Sequence, residues 1–194
     1  MARRGPILVL LLALLAAGCG GGALSSRSRA ELTNPFLGPE YTAWLIGPVA
    51  RIATAEEIRE FLALQDDRQA EAFVQAFWDH RDPARDKPGN PVREAFDARS
   101  AEADRQYSEA GLLGRRTDRG AIYVVYGPPS KVEFEVSPTP NGPPLEVWTY
   151  GADAPSGLDA RRPGIYRFIK QGDRTVLYVA GARPPLIQPQ EPPQ

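Results

Sequence analysis

The apolar residues in the first half of the chain recur at helical spacing, and local signals mark where each helix begins. Thr54 to Glu57 matches a capping box, in which a threonine hydroxyl and a glutamate side chain satisfy backbone N–H groups. A second helix is capped by Asp66 or Asp67 and ends near His80, ahead of Pro83. The buried faces of these two helices are predicted to contain Ile58, Phe61, Leu62, Ala70, Phe73, Val74, Phe77 and Trp78.

A third helix and an arm complete this half of the chain. Asn90 followed by Pro91 predicts a helix start, because proline suits the first helical position. Ahead of the first helix, glycine and proline interrupt an apolar segment, which we expect to lie as an extended arm on the core. The apolar residues of the arm are Tyr41, Trp44, Leu45, Ile46, Val49 and Ile52, and those of the third helix are Val92, Ala95, Phe96, Ala103 and Tyr107.

In the second half, the spacing changes from helical to strand-like. Ala121–Tyr126 is apolar on both faces, which favours a central strand. Lys131–Val136 alternates, so we expect Val132, Phe134 and Val136 to face the core. Helices first and strands later predict an α+β fold, with N-terminal helices packed on a small antiparallel β-sheet of about five strands. The remaining strands are predicted at Leu145–Tyr150, Ile165–Lys170 and Thr175–Ala180, with a hairpin at 171–174.

The N-terminus has the features of a bacterial lipoprotein signal. Arg3 and Arg4 precede the apolar run Ile7–Ala17, which suits a signal peptide and is short for a bilayer span of about 20 residues. Small residues then precede Cys19, the only cysteine, in an arrangement that resembles the lipobox. We therefore expect cleavage before Cys19 and lipidation of its thiol, which anchors a protein to the membrane. The alternative is an ordinary signal peptide in which this cysteine has no role.

The composition divides the chain into four segments. We predict a lipoprotein signal peptide at 1–18, a flexible tether at 19–33, a folded α+β domain at 34–182 and a Pro-rich disordered tail at 183–194. Gly20 follows the cysteine, and no aspartate is present there to signal inner-membrane retention. By its similarity to Gram-negative lipoproteins, the chain is expected at the outer membrane, facing the periplasm.

Charge and residue counts exclude several functions. The net charge is −1, so no basic excess exists to bind nucleic acid. A single histidine, His80, and a single cysteine exclude a Cys–His zinc site. We expect no metal and no cofactor. The expected partners are the membrane, through the lipid, and an envelope protein, peptide or polymer.

Several separated motifs occur in order along about residues 44–181. They are Phe77-Trp78-Asp79-His80-Arg81-Asp82-Pro83, then Asn90, then Gly114-Arg115-Arg116-Thr117-Asp118-Arg119-Gly120, then Ile122-Tyr123, then Tyr126-Gly127-Pro128-Pro129, and finally Glu146-Val147-Trp148-Thr149-Tyr150. This set resembles the GWxTD domain family of bacterial proteins, which are often lipoproteins or secreted. In the motif that names the family, Arg115 stands in place of the tryptophan. The resemblance implies no established activity.

Five polar residues of these motifs form the candidate site at the expected helix–sheet junction: Arg81, Asp82, Thr117, Asp118 and Arg119. In a functional interpretation they make a binding or catalytic site. In a structural interpretation Asp82 ends a helix, and Thr117 and Asp118 accept backbone N–H groups in local turns. We favour the structural interpretation, with Arg81 paired to Asp118, because the sequence offers no identifiable nucleophile or base.

Two functions from different classes follow. The first is a lipid-anchored envelope protein that acts as a non-catalytic binding or interaction module. The second is a small, hydrolase-like envelope enzyme that uses carboxylates at the helix–sheet junction. An open sheet edge favours the first, and an enclosed cleft with converging acids favours the second. The aromatic residues that either form a binding platform or pack in the core and sheet are Trp44, Trp148, Tyr150, Tyr166 and Tyr178.

The lipobox-like arrangement makes a direct prediction about Cys19. Cys19→Ser should release the protein from the membrane fraction or leave it unprocessed, because serine cannot carry the thioether-linked lipid. Membrane fractionation and N-terminal mass analysis of the mature protein measure both effects. A serine variant that fractionates as the wild type does, with the same mature N-terminus, would show that Cys19 is not the anchor.

Overall fold

The computed structural model describes residues 29–152, 154, 157–159, 161 and 163–180. The predictions for the signal peptide, for Cys19 and for the Pro-rich tail fall outside these residues. In the described part of the chain, no helix combines the length and the hydropathy needed to cross a bilayer.

Five α-helices form the helical part of the described fold. They are α1 (Val49–Ile52), α2 (Ala55–Leu62), α3 (Asp67–Arg81), α4 (Pro91–Tyr107) and α5 (Asp118–Tyr126). The capping box of α2 is confirmed, since Glu57 N–H donates to Thr54 Oγ1 at 3.1 Å and Thr54 N–H donates to Glu57 Oε2 at 2.7 Å. Asp66 caps α3 by accepting from Gln69 N–H, and Asn90 caps α4. These local signals therefore placed the starts of three helices correctly.

Four antiparallel strands form the sheet, in the order β1 (Lys131–Glu135), β2 (Leu145–Thr149), β3 (Ile165–Gln171) and β4 (Arg174–Leu177). The hairpin between β3 and β4 turns at Gly172, whose φ of +62° suits glycine. Trp148 on β2 lies opposite Tyr166 on β3, and its ring contacts Tyr107 of α4 at 5.4 Å. The helices thus cover one face of the sheet, which confirms the α+β class with four strands.

The predicted strand Ala121–Tyr126 is wrong, because this segment belongs to α5. Thr117 caps the helix by accepting from Gly120 N–H at 3.1 Å. Val124 and Val125 are fully buried, Ala121, Ile122 and Tyr126 are buried as well, and only Tyr123 of this segment is partly buried. A helix that is buried on nearly all sides has no polar face, so its apolar run cannot be distinguished from a central strand by period alone. The β-branched residues then favour the wrong choice.

The predicted burial of Val132, Phe134 and Val136 is also wrong. Val132 and Phe134 lie on β1, but they are 48% and 71% exposed, and Val136, just beyond the end of β1, is 91% exposed. Val132 pairs with Trp148, so it points to the same side of the sheet as that buried ring. The alternation therefore predicted the strand and its faces correctly. It could not show that β1 is an edge strand that lies beyond the helices.

The N-terminal arm is compact rather than extended. Residues 39–48 form successive turns that lead into α1, and Leu45 is fully buried. The core includes Leu32, at the end of a 3-10 turn over Ala30–Leu32. Asn34 is fully buried, and its amide donates to the carbonyl oxygens of Phe61 and Leu64. The arm is thereby fastened to the end of α2.

An aromatic cluster joins the arm to the helices. Phe77 and Trp78 of α3 are 2% and 4% exposed. Their ring contacts are with residues of the arm and helices, including Trp44 at 5.0 Å from Phe77 and Phe96 at 4.9 Å from Trp78. The burial of both residues is confirmed, and these ring contacts are with the arm and the helices rather than with the sheet.

Truncation of this cluster should strongly destabilise the protein. Trp78→Ala should lower the free energy of unfolding by about 3–5 kcal/mol, because it leaves a large cavity among buried rings. Phe36→Ala is the control, since Phe36 is 65% exposed and its loss should change the stability by less than about 0.5 kcal/mol. Urea unfolding followed by circular dichroism measures both. Equal midpoints for the two variants would contradict this packing.

Candidate functional site

Arg81 is the centre of a partly buried polar cluster at the end of α3. Its guanidinium donates to both carboxylate oxygens of Glu57, at 2.7 Å each. It also donates to the carbonyl oxygens of Phe77 and Ile52, at 3.0 Å each. The guanidinium lies over the Phe77 ring, 3.5 Å from its centroid. One side chain thus links the end of α1, the start of α2 and the end of α3.

Glu57 serves two elements at once. Its carboxylate completes the capping box with Thr54 and receives both nitrogens of the Arg81 fork. Burial by itself raises the pKa of this carboxyl, but the hydrogen bonds from Arg81 and the Thr54 backbone outweigh it and hold the pKa below its ordinary value. Glu57 is therefore charged at neutral pH, which matches its role as the partner of Arg81.

The expected Arg81–Asp118 pair is wrong. Arg81 pairs with Glu57, and Asp118 Oδ1 lies 3.8 Å from Arg51 Nη2. The short helix α1 explains the difference, because Arg81 binds the Ile52 carbonyl at its end while the side chain of Arg51 reaches Asp118. Each charge thus has a partner supplied by α1 or α2. No local pattern in the sequence places α1 between them.

Asp82 ends α3, as the structural interpretation predicted. It is the residue that follows the last helical residue, and its backbone is extended ahead of Pro83. Its carboxylate accepts from Ala84 N–H at 2.9 Å, which is an Asx turn. Asp82 therefore shapes the exit of the chain from the helix.

Thr117 lies at a tight turn between α4 and α5. It is 4% exposed, and its hydroxyl donates to the Gly114 carbonyl oxygen at 2.8 Å while accepting from Gly120 N–H. A Cβ on Gly114 would overlap the Ala103 carbonyl oxygen of α4, and a Cβ on Gly120 would overlap the Gly114 carbonyl oxygen. Glycine is required at both positions because backbone meets backbone there.

Asp118 joins the start of α5 to the edge of the sheet. Its Oδ2 accepts from Leu177 N–H of β4 at 2.6 Å. The carboxylate of Glu109 binds β4 in the same way, accepting from Thr175 N–H at 2.8 Å, two residues before Leu177. Thr175 and Leu177 are alternate residues of β4, which is an edge strand of the sheet. The two carboxylates therefore occupy hydrogen-bonding groups that an edge strand otherwise presents to another chain.

Arg119 connects Glu109 to the middle of the sheet. It donates to Glu109 Oε2 at 3.0 Å and to Glu146 Oε2 of β2 at 3.1 Å. Glu146 in turn accepts from the Trp148 indole N–H at 2.7 Å. The guanidinium also lies 5.6 Å from the centroid of the Tyr107 ring, and burial raises the pKa of this tyrosine to about 12. Arg119 therefore sits in a network among α5, β2 and the loop after α4.

The substitution at the naming motif has a clear set of contacts. Arg115 backbone N–H and side-chain Nε donate to the two carboxylate oxygens of Asp104 on α4, at 2.8 Å each. Burial raises the pKa of Asp104, but the hydrogen bonds from Arg115 outweigh it and hold that pKa below its ordinary value. The arginine side chain is 41% exposed, so it occupies the edge of the domain. An ion pair with α4 therefore stands where the family pattern has tryptophan.

The five predicted residues do not converge on one site. Arg81 belongs to a cluster with Glu57, and Asp82 forms a turn at the end of α3. Thr117 belongs to the turn before α5, Asp118 begins α5 and binds β4, and Arg119 belongs to a network with Glu146. Sequence reasoning missed Glu57, Glu109 and Glu146 as their partners. Only Glu57 carried a local signal, the capping box, while the other two are brought near by the fold.

The aromatic residues proposed as a platform are mainly packed. Trp148 and Tyr150 are buried, and Trp44 packs on Phe61 with ring centroids 4.9 Å apart. Tyr166 lies 6.1 Å from Tyr150, edge to face. Among the residues that the structure describes, no group of three or more histidine, cysteine, aspartate or glutamate side chains is arranged to hold a metal ion.

Comparison with known proteins identifies the family. The model of the GWxTD domain matches residues 32–158, which is more than half of the chain, so this chain belongs to the GWxTD domain family. No curated protein and no solved structure gives a significant match. The match covers all of the motif residues discussed above and ends before β3.

The contacts of Arg81 predict which pairs of variants are coupled. In a double-mutant cycle on the free energy of unfolding, Arg81→Ala and Glu57→Gln should couple by on the order of 1–3 kcal/mol. Arg81→Ala and Asp118→Ala should be additive within about 0.5 kcal/mol, because they share no partner. The opposite result would restore the pairing expected from the sequence.

The pH dependence provides a second measurement of the same pair. Because the pKa of Glu57 is lowered in the folded state, its stabilisation is present above the pKa of the unfolded chain and is lost as the pH falls through the lowered value. The coupling between Glu57 and Arg81 should therefore be full at neutral pH and shrink in acid.

Proposed function

For this member of the GWxTD domain family, we propose a lipid-anchored envelope protein that acts as a non-catalytic binding module. Its ligand is an extended segment of an envelope protein, which adds to the sheet as a fifth strand beside β1. The observation that carries the proposal is a difference between the two edges of the sheet: carboxylates bind N–H groups of β4, whereas no described strand pairs with the outer side of β1. Strand addition of this kind gains affinity from main-chain hydrogen bonds and specificity from alternate side chains.

The two edges differ in their partners. On β4, the N–H groups of Thr175 and Leu177 are held by the carboxylates of Glu109 and Asp118. On the opposite edge, β1 pairs with β2 on one side, and no described strand lies on its other side. All five residues of β1 are exposed. An unprotected edge is available for pairing with another chain.

The side chains of β1 favour an extended peptide with one apolar face. Val132 and Phe134 continue the helix-facing side of the sheet, and both are exposed. On the other side, Lys131 pairs with Glu133, and Glu135 pairs with Arg167 of β3. Beside them is a cavity of about 320 Å³ open to solvent, which can receive a ligand side chain. Its lining residues include Glu135, Pro138, Leu145, Ile165, Arg167 and Tyr178.

The carboxylates of the helix–sheet junction already have partners. Asp118 holds a β4 N–H group, and Glu109 and Glu146 hold both Arg119 and a further donor each. A carboxylate that acts as a general base must reach a substrate proton. This arrangement supports the binding module over the alternative of a hydrolase-like enzyme, which no specific contact favours.

The anchor is part of the proposal. Acylated Cys19 would hold the domain at the outer membrane, facing the periplasm, through the tether that follows it. The arrangement of small residues before Cys19 and the absence of a second cysteine support this. A ligand in the envelope is then within reach of β1.

Site-specific photo-crosslinking in whole envelopes tests the β1 ligand. A photoreactive phenylalanine analogue at Phe134 should form an adduct with an extended segment of one envelope protein. The same analogue at Phe36 is the control, because these two phenylalanines are 71% and 65% exposed and lie on different elements. A synthetic peptide of the captured segment should then protect the amides of β1 from hydrogen exchange. Phe134→Glu should weaken its binding about 10–100-fold, since it removes the apolar surface that the bound segment covers.

Three results would contradict the proposal. The first is equal crosslinking from Phe134 and Phe36. The second is an adduct with a second copy of this chain, which would make β1 a dimer interface. The third is a captured peptide that binds without slowing amide exchange in β1, because strand addition must protect those amides.

A further inference from the structure

A small pocket lies between the arm, α1 and the start of α5, away from β1. Its volume is about 170 Å³, roughly that of five or six water molecules. Its buried walls come from Leu32, Ala50, Thr117 and Ala121. This volume is below the range of about 300–1,000 Å³ that is usual for sites of larger organic ligands. The pocket therefore suits one small group.

Three arginines and one acid supply its charge. Arg29 precedes the first 3-10 turn, Arg51 belongs to α1 and Arg116 ends the turn before α5. The acid is Asp118. Counted over its lining residues, three arginines against one aspartate give the pocket a positive excess, while the whole chain carries a net charge of −1. The net charge of the residues that line the pocket is therefore opposite in sign to the net charge of the whole chain.

Within the part of the chain that the structure describes, the contacts of these arginines leave N–H donors for a ligand. Arg51 Nη2 lies 3.8 Å from Asp118 Oδ1, too far for a hydrogen bond, although its side chain is only 19% exposed. The other oxygen of Asp118 is taken by Leu177 N–H. One guanidinium N–H of Arg29 donates to the Arg116 carbonyl oxygen at 3.3 Å, which holds the Arg29 side chain near the turn before α5. The described contacts thus leave most of the arginine N–H groups unused.

We propose that this pocket binds a phosphate group. A planar carboxylate is satisfied by one arginine fork, whereas the oxygens of a tetrahedral phosphate can receive donors from three separate elements. The phosphate belongs either to a free phosphate ester or to the headgroup of an anionic lipid. The second source is geometrically accessible, because the ten peptide units between Cys19 and Arg29 span at most about 36 Å. This inference stands on the pocket itself and does not require that Cys19 be acylated.

The binding experiment uses the full chain with Cys19→Ser, which removes any lipid, and inorganic phosphate as the probe. Phosphate should shift the backbone amide signals of Arg116, Thr117 and Asp118 in ¹⁵N spectra. Arg51→Gln and Arg116→Gln should each weaken the affinity about tenfold or more, as expected for lost charge-assisted hydrogen bonds. Arg68→Gln is the matched control, since it removes one exposed arginine from α3.

A second arm identifies the source of the phosphate. The same variants are sedimented with vesicles of phosphatidylcholine, with and without phosphatidylglycerol. A headgroup ligand predicts binding that requires phosphatidylglycerol, depends on Arg51 and Arg116, and is displaced by phosphate. A free phosphate ester predicts phosphate binding with the same arginine dependence and no such effect on the vesicles.

Two results would overturn the site. One is that neither probe binds, and the other is that Arg68→Gln weakens binding as much as the pocket variants do. Because Arg116 is exposed, Arg116→Gln should fold normally, which circular dichroism checks. It therefore carries the test if Arg51→Gln fails to fold.

Discussion

The close approach of three backbone segments around Gly114 constrains the rest of the structure. Gly114 lies directly against the Ala103 carbonyl group of α4, and Gly120 lies directly against Gly114. No side chain fits in either contact. The turn can therefore deliver α5 into the space between α4 and the sheet, where Val124 and Val125 are fully buried. Any Cβ at these two glycines must push the turn off α4 and move α5 with it.

Because the turn at Gly114 fixes the start of α5, the consecutive residues Thr117, Asp118 and Arg119 contact different parts of the fold. Thr117 closes the turn, Asp118 reaches the edge strand β4, and Arg119 reaches Glu146 in the middle of the sheet. A short sequence thus fixes the position of α5 relative to two layers. Arg115 is less constrained, because its side chain leaves the turn towards Asp104 at the surface. A residue of different chemistry can stand there without disturbing the contacts of the glycines.

The features that the sequence predicted are the ones encoded locally. Thr54, Asp66 and Asn90 cap their helices through atoms within three residues, so their patterns identify the starts of α2, α3 and α4. The errors arise where distant residues decide. Tertiary packing encloses Ala121–Tyr126, so this helix has no polar face that would reveal its period. Arg81 pairs with Glu57 because α1 lies between Arg81 and Asp118. The sequence therefore identified the polar residues of the candidate site but not the side chains with which they pair.

The sheet places the two proposed binding surfaces apart. Asp118 lies beside β4 and lines the arginine pocket, whereas the open strand β1 is at the other end of the sheet. Three strand spacings of about 4.8 Å separate β1 from β4, or roughly 14 Å. A phosphate in the pocket then leaves the β1 edge unobstructed. If the pocket meets a headgroup, β1 lies on the side of the sheet away from that contact, where an extended segment of another envelope protein can pair with it.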